Sequence, residues 1–321
     1  MFEPTPQNSG KSGPVIGLAL GSGAARGWAH LGVLRVLARE GIEPQIICGC
    51  SIGAFVGAAM ASGDLEKLTH WAEALKWQDV VSLLDVSLRG GLIKGEKLIQ
   101  FFERNFVDRD FSQLDRRFAC VATELETGRE IWLREGSVAQ AVRASIALPG
   151  LFTPIVRDGR LLVDGGLVNP VPVSLCRAMG ADVVIAVDLG SDMIGKAWRA
   201  NPVEQVEETS EGWTERIFAR LGLSINGNGN GRGPQVVGAE ASLPSLMTVL
   251  TSSINIMQVR IARSRLAGEP ADVQVSPRLA HIGTMDFHRA SEAIAEGEAA
   301  VASMLPALRY ALGHAVPGVG A

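Results

Sequence analysis

Apolar positions along this chain fall into short blocks that switch between two kinds of pattern. Val15 to Leu20 (VIGLAL) is a continuous apolar run and predicts a buried strand. Gly21-Ser22-Gly23-Ala24-Ala25-Arg26-Gly27 follows as a glycine-rich turn. Trp28 to Glu40 then carries Trp28, Leu31, Leu34 and Leu37 at helical spacing, one apolar face closed by Gly41. Ile46-Ile47-Cys48 is too short for a helix and suits a second buried strand, and AFVGAAMAS after Gly53 suits a helix ending before Gly63. The first ~60 residues therefore predict β-loop-α-β-turn-α, the start of a parallel sheet with helices on its faces.

Further on, Asp64 is placed to cap a helix from Leu65 to Trp77, and Gly95 to Phe106 is amphipathic. Arg117 to Leu133 reads as a hairpin turning at Glu126-Thr127-Gly128. Ser137 caps a helix that Pro149-Gly150 ends, and Leu151 to Val163 is a second hairpin with its turn at Asp158-Gly159. Pro170 or Pro172 opens a helix to Met179, and Asp182 to Leu189 is another buried strand. Ser191 to Leu243 differs in composition: an acidic piece, a short amphipathic helix (Gly212 to Leu221) and a Gly-Asn stretch at Asn226 to Gly233. A long helix from about Pro244 to Leu266, a strand at Asp272 to Val275 and a helix from Phe287 to about Leu312 complete the pattern. The expected division is a disordered tail at 1–13, a core at 14–190, a flexible insertion or lid at 191–243, and a C-terminal helical extension packed on the core at 244–321.

Composition narrows the class. The chain is 47% hydrophobic but only 5% aromatic, which favours close-packed α/β layers over an aromatic-rich sandwich. A net charge of −4 without a basic stripe argues against a nucleic-acid binder. Cys48, Cys50, Cys120 and Cys176 form no C-x-x-C pair, so they read as reduced, buried thiols of a cytosolic protein and not as a zinc site. Residues 1–13 lack the apolar stretch of a signal peptide. No apolar run reaches the ~18 residues of a membrane-spanning helix.

The candidate chemistry sits at Gly49-Cys50-Ser51-Ile52-Gly53, a G-x-S-x-G between strand and helix. That context defines a nucleophile elbow, in which a sharp turn strains the serine backbone and lifts its hydroxyl off the sheet. Gly49 and Gly53 let neighbouring backbone pass close by. With 37 glycines in the chain the pattern alone could arise by chance, so the base matters. The five histidines, His30, His70, His281, His288 and His314, lie in helix-like or polar surroundings, none in a short loop after a buried strand. Asp164 ends the run LLV and precedes Gly165-Gly166, which let the backbone bend around it. Asp-Gly is a common turn pair, yet Asp158-Gly159 already supplies a turn six residues earlier. The reading is a Ser51–Asp164 dyad, with Asp164 desolvated enough to act as a base. Backbone N–H groups of Gly23 and Ala24 are the candidate oxyanion donors, and Arg26 would buttress the loop or meet an anionic head group. The loop is also the competing feature, a phosphate cradle, but G-x-G-x-x-x-G is not the dinucleotide spacing.

Three separated stretches, VIGLALGSGAARGWAHLGVLRVLAREGI, IICGCSIGAFVGAAMASG and LLVDGGLVNPVPV, resemble the patatin-like phospholipases, as does RASIALPGLFTPI before the third. The C-terminal ADVQVSPRL and GTMDFHRASEAIAEGEAAV resemble a bacterial branch related to the neuropathy target esterase-type lysophospholipase domains. The resemblance implies a three-layer α/β/α fold with a mixed, mostly parallel sheet. It also implies hydrolysis of phospholipid, lysophospholipid or related lipid esters by Ser51 and Asp164, with no metal and no cofactor. The family's glycine loop maps onto Gly21, Ser22, Gly23, Ala24, Ala25, Arg26 and Gly27, its arginine onto Arg26; Ser22 and Ala24 interrupt the usual glycine run. A lipid or acyl-ester substrate, transient contact with a membrane surface, no nucleic acid, and a cytoplasmic or membrane-peripheral location are the matching expectations. Trp213, Ile217 and Leu221 at helical spacing suggest the lid. Two alternatives remain beside the hydrolase: a weakly or non-catalytic lipid-binding member of the same fold, and a nucleotide-binding α/β module.

Overall fold

The computed structural model describes residues 13–83, 95–107, 109–193 and 246–313. Within them the apolar runs become strands of one mixed sheet. β1 (Ile16–Leu20) lies between β2 (Ile46–Cys50) and β7 (Val183–Val187), parallel to both, and β8 (Val273–Val275) extends the parallel part beyond β7. On the other side β2 pairs in parallel with β3 (Arg117–Glu124). β4 (Glu130–Leu133), β5 (Ile155–Arg157) and β6 (Arg160–Asp164) form the antiparallel margin, so that hydrogen bonds run along the path β5-β6-β3-β2-β1-β7-β8, with β4 also paired to β3.

Strand residues alternate between two apolar layers, as period-2 side chains must. Leu18, Leu20, Ile47, Phe118, Cys120, Ile185 and Val187 face one core, packed under α1 (Ala29–Arg39), α2 (Ile52–Ala61), α5 (Glu96–Asn105), α6 (Val138–Ser145) and α9 (Ala290–Ala311). Ala19, Ile46, Cys48, Ala119, Val121, Val184 and Ala186 face the other, beneath α7 (Val173–Ala178) and α8 (Leu246–Gly268). Helices on both faces are why β1, β2 and β7 read as unbroken apolar runs. The fold is α/β with a mixed, mostly parallel sheet and a C-terminal helical extension.

Several boundaries differ from the sequence reading. The Leu65 helix ends at Ala74 as α3, and α4 (Trp77–Leu83) is a separate short helix. Asp64 occupies the cap position of α3 without a side-chain hydrogen bond, whereas Ser137 does cap α6 by accepting from the Gln140 N–H. The Trp28 helix starts with a 3-10 turn, Ala24–Trp28, before α1. α1 is buried on more than the one face its pattern predicts, because α9 crosses it backbone to backbone. A Cβ on Gly32 would lie 2.0 Å from the Ile294 carbonyl oxygen, and one on Gly297 2.1 Å from that of Ala29. Residues 1–12 of the tail read at 1–13, and the helix at Gly212 to Leu221 read as a lid, lie outside the described residues.

Candidate active site

Strand register brings the two halves of the site together. Val121 of β3 pairs with Cys50 of β2 on one edge and with Trp132 of β4 on the other. The next residue, Ala122, pairs with Ile131 of β4 and with Asp164 of β6. β2 and β6 therefore share one edge of β3, end to end. Ser51 follows Cys50 where β2 leaves that edge, and Asp164 is the residue with which β6 takes it over. Residues 113 positions apart in sequence meet there, and Ser51 Oγ donates a 2.6 Å hydrogen bond to Asp164 Oδ2.

The serine backbone has φ 54°, in the left-handed region that non-glycine residues avoid. The strain is held from two sides. The Ser51 N–H donates to Ser145 Oγ at 3.0 Å, and Ser145 Oγ–H donates to the Val121 carbonyl at 2.7 Å, tying the turn to the last turn of α6 and to β3. A Cβ on Gly49 would come within 2.4 Å of Ala54 Cα, and one on Gly53 within 2.1 Å of the Leu20 carbonyl oxygen, so larger residues would push the turn off the sheet. Cys50, just before Ser51, is fully buried; burial, and next the Asp164 charge, push its thiol well above the ordinary range and keep it protonated. It packs and does not compete as a nucleophile.

Asp164 has no solvent exposure. Its Oδ1 accepts from the Gly166 N–H at 2.7 Å, its N–H donates to the Ala147 carbonyl at 3.0 Å, and its carbonyl accepts from Thr123 Oγ1 at 2.8 Å. Burial raises its pKa from 3.8 to about 6, against the hydrogen bonds from Ser51 and Gly166, which favour the ionised form. Gly165 fits because a Cβ there would lie 2.2 Å from the Val121 carbonyl oxygen.

The glycine loop sits opposite. The N–H groups of Gly21 and Ser22 donate to the carbonyls of Val187 and Pro170, and those of Ala25 and Arg26 to Thr284 and Gly23. The Gly23 and Ala24 N–H groups find no partner among the described residues. Arg26 is buried, with Nε–H donating to the Gly23 carbonyl at 3.3 Å. The Gly23 carbonyl and the Ala24 N–H belong to one planar trans peptide, so fixing the oxygen turns the N–H the opposite way. Ala24 lines the same cleft as Ser51. Of the two readings of Arg26, its burial and its bond to the Gly23 carbonyl fit the buttress and not contact with a head group. Burial lowers its pKa to about 10, and the Asp192 charge partly offsets this. His30, also buried, bonds through Nε2 to the Gly21 carbonyl at 2.8 Å, and burial lowers its pKa to about 4, so the ring is neutral and donates. Gly27 abuts the elbow, since a Cβ there would lie 2.2 Å from Ile52 Cγ1.

From Ser51 and Ala24 a cleft, partly open to solvent, runs between Trp28, Phe55, Trp71, Leu98, Phe152 and Phe287. None of the described residues lining it is charged. Of the remaining histidines, His70 bonds the Glu66 carbonyl, His281 lies 3.9 Å from Glu292, His288 sets its ring against Trp77, and His314 lies outside the described residues. No described histidine hydrogen-bonds Ser51 or Asp164. Ser145, Thr123 and His30 are the site residues sequence reasoning missed. Ser145 lay within the RASIALPG stretch, but nothing in its local pattern says that it faces a strand turn 94 residues earlier.

An α/β sheet presenting a strained serine against a buried carboxylate defines the class to which this site belongs. A profile described as Patatin-like phospholipase matches residues 18–177. An uncharacterized NTE family protein of Mycobacterium tuberculosis is 34% identical over 340 aligned positions covering 93% of each chain. Patatin-like phospholipase domain-containing protein 7 of Mus musculus is 36% identical over 56% of this chain but only 14% of that protein. Patatin-like phospholipase domain-containing protein 6 of Homo sapiens is 34% identical over the same shares. The crystal structure of VipD from Legionella pneumophila aligns with a TM-score of 0.45 at 13% identity, over 92% of this chain and 67% of that one. The chain belongs to the patatin-like phospholipase family. Among the described residues no helix is long and apolar enough to cross a membrane.

Proposed function

We propose that this protein is a serine acyl-ester hydrolase acting on phospholipids, lysophospholipids or related lipid esters. The observation that carries the reading is the 2.6 Å Ser51 Oγ to Asp164 Oδ2 hydrogen bond at the end of a cleft that no charged residue lines among the described residues. An acyl chain suits that cleft, and its carbonyl carbon would then lie beside Ser51. Ser51 Oγ attacks that carbon while its proton passes to Asp164 Oδ2. The carbonyl oxygen becomes an oxyanion that the free N–H groups of Gly23 and Ala24 can take up. Collapse expels the alcohol, which leaves with the proton from Asp164, and an acyl-Ser51 ester remains. Water then gives its proton to Asp164 and its oxygen to the acyl carbon. Release of the carboxylic acid returns the proton to Ser51.

A fluorophosphonate probe located by mass spectrometry, with turnover of p-nitrophenyl esters and lysophospholipids, tests this. Labelling at Ser51, and loss of turnover in Ser51→Ala and Asp164→Asn, are expected; turnover surviving either substitution would refute the dyad. The weakly catalytic alternative draws on Ala24, whose φ of 50° places a Cβ where glycine is at ease. Under that reading Ser51 labels but turns over very slowly.

A further inference from the structure

We propose that Asn255 and Gln258, on one face of α8, are positioning residues that hold the glycine loop and the Asp164 turn in mutual register. The inference rests on the hydrolase reading and extends it to a helix outside the matched residues 18–177.

α8 reaches both halves of the site. Asn255 Oδ1 accepts from Arg26 Nη2 at 3.2 Å, across 229 residues of sequence. The guanidinium is rigid and planar, so anchoring one end sets the direction of the other. Its other donor in use, Nε–H, holds the Gly23 carbonyl, whose peptide carries the Ala24 N–H. A line of fixed geometry thus runs from α8 through Arg26 to the candidate oxyanion donor. Arg26 Nη1 is already buried without a partner, so Asn255 is the only hydrogen-bonding restraint on that end of the group among the described residues. One turn along α8, the Gln258 carboxamide lies against Gly166. A Cβ on Gly166 would be 2.4 Å from Gln258 Nε2 and 2.9 Å from Asp164 Oδ1. Gln258 therefore backs the residue whose N–H donates to Oδ1. Between the two contacts lies a small space bounded by Ser22, Gly23, Asp188, Asn255 and Gln258, behind the loop and away from the acyl cleft. Neither Asn255 nor Gln258 lines the acyl cleft, so their influence on the reaction would be transmitted through Arg26 and Gly166.

The test uses the full chain with Asn255→Leu, Asn255→Asp and Gln258→Ala. Asn255→Leu keeps the branched shape and removes the acceptor; Asn255→Asp restores an acceptor. With a short p-nitrophenyl ester, kcat is expected to fall tenfold or more in Asn255→Leu and Gln258→Ala while KM stays within twofold. Asn255→Asp should recover most of the loss. Amide hydrogen exchange gives a readout independent of turnover. Exchange in a peptide over residues 21–28 should accelerate in Asn255→Leu, and in one over 164–169 in Gln258→Ala, with β3 unchanged. Wild-type kcat with unchanged exchange in these peptides overturns the proposal. So does faster exchange spread evenly over β1, β2 and β3, which marks general loosening. Should the wild-type chain hydrolyse no ester, the proposed function fails, while the exchange data still decide whether α8 braces the loop.

Discussion

Asp164→Asn should make the protein more stable while removing its activity. Burial holds the Asp164 carboxyl at a pKa of about 6 against an ordinary 3.8. The folded state therefore binds more protons than the unfolded chain between pH 3.8 and 6, and stability falls as pH rises through that window. The shift is about two units, so above pH 6 the ionised carboxylate costs about 3 kcal/mol relative to its neutral form. Asparagine imitates the neutral form. Its Oδ1 can keep the Gly166 N–H, and its Nδ2–H can donate to Ser51 Oγ, which turns the serine from donor to acceptor and leaves no base. The variant should gain up to about 3 kcal/mol at pH 8, or about 6 °C at roughly 2 °C per kcal/mol for a chain of this size. The gain should shrink by about half at pH 5 and vanish below pH 3.8. His30 slopes the other way: with a folded pKa of about 4 against 6.5, it costs stability as pH falls from 6.5 towards 4. Both proteins carry His30, so the difference between their melting temperatures isolates Asp164. Thermal unfolding of the pair from pH 4 to pH 8 is the assay. A variant less stable than wild type at pH 8, or an advantage that does not shrink on acidification, would show that the fold does not penalise the carboxylate.

The same carboxyl should set the acid limb of kcat/KM at an apparent pKa of about 6. That is about a tenfold rise between pH 5 and pH 7; a flat profile over that range would mean that the base ionises at the usual carboxylate value. Ser145→Ala removes the partner of the half-buried Ser51 N–H and should cost about 1 kcal/mol in urea unfolding, together with a lower kcat. Wild-type stability and turnover in that variant would remove Ser145 from the support of the turn. Ala24→Gly relieves a Cβ held at φ 50°, worth about 1–2 kcal/mol, against about 0.4–1 kcal/mol of added chain entropy. Stability should thus be unchanged or rise by up to about 1.6 kcal/mol, with turnover equal or higher, and a tenfold loss of turnover would show that the alanine methyl contributes to the loop.

The elements most legible in the sequence were those whose signal is local. VIGLAL and the run Ile46-Ile47-Cys48 became β1 and β2 because strands buried on both faces leave no polar alternation. Ser51 and Asp164 stood out because a sharp turn and a tight bend both need small neighbours, which a one-dimensional pattern displays. Arg26 kept two readings open in the sequence, and its burial is what favours the buttress. Ser145, Thr123, His30 and Asn255 stayed hidden because each acts through one or two hydrogen bonds to residues placed by the fold and not by its own neighbours. α1 showed one apolar stripe, and its burial on further sides depends on Gly32 and Gly297, whose close approach to a second helix leaves no mark in hydropathy.

The register along β3 ties geometry to basicity. Asp164 is aimed at Ser51 because it opposes Ala122, one step beyond the pairing of Cys50 with Val121. That same pairing sets it inside the sheet, under the Thr123 hydroxyl and away from water, which lifts its pKa. A slip of β6 by one residue would turn the Asp164 side chain to the opposite face and bring Val163 or Gly165 to its place. Alignment and desolvation would be lost together. A carboxylate restored to Ser51 from a solvated loop would recover the distance but not the proton affinity. One edge shared by two strands therefore accounts for both properties that Asp164 would need as the proposed base.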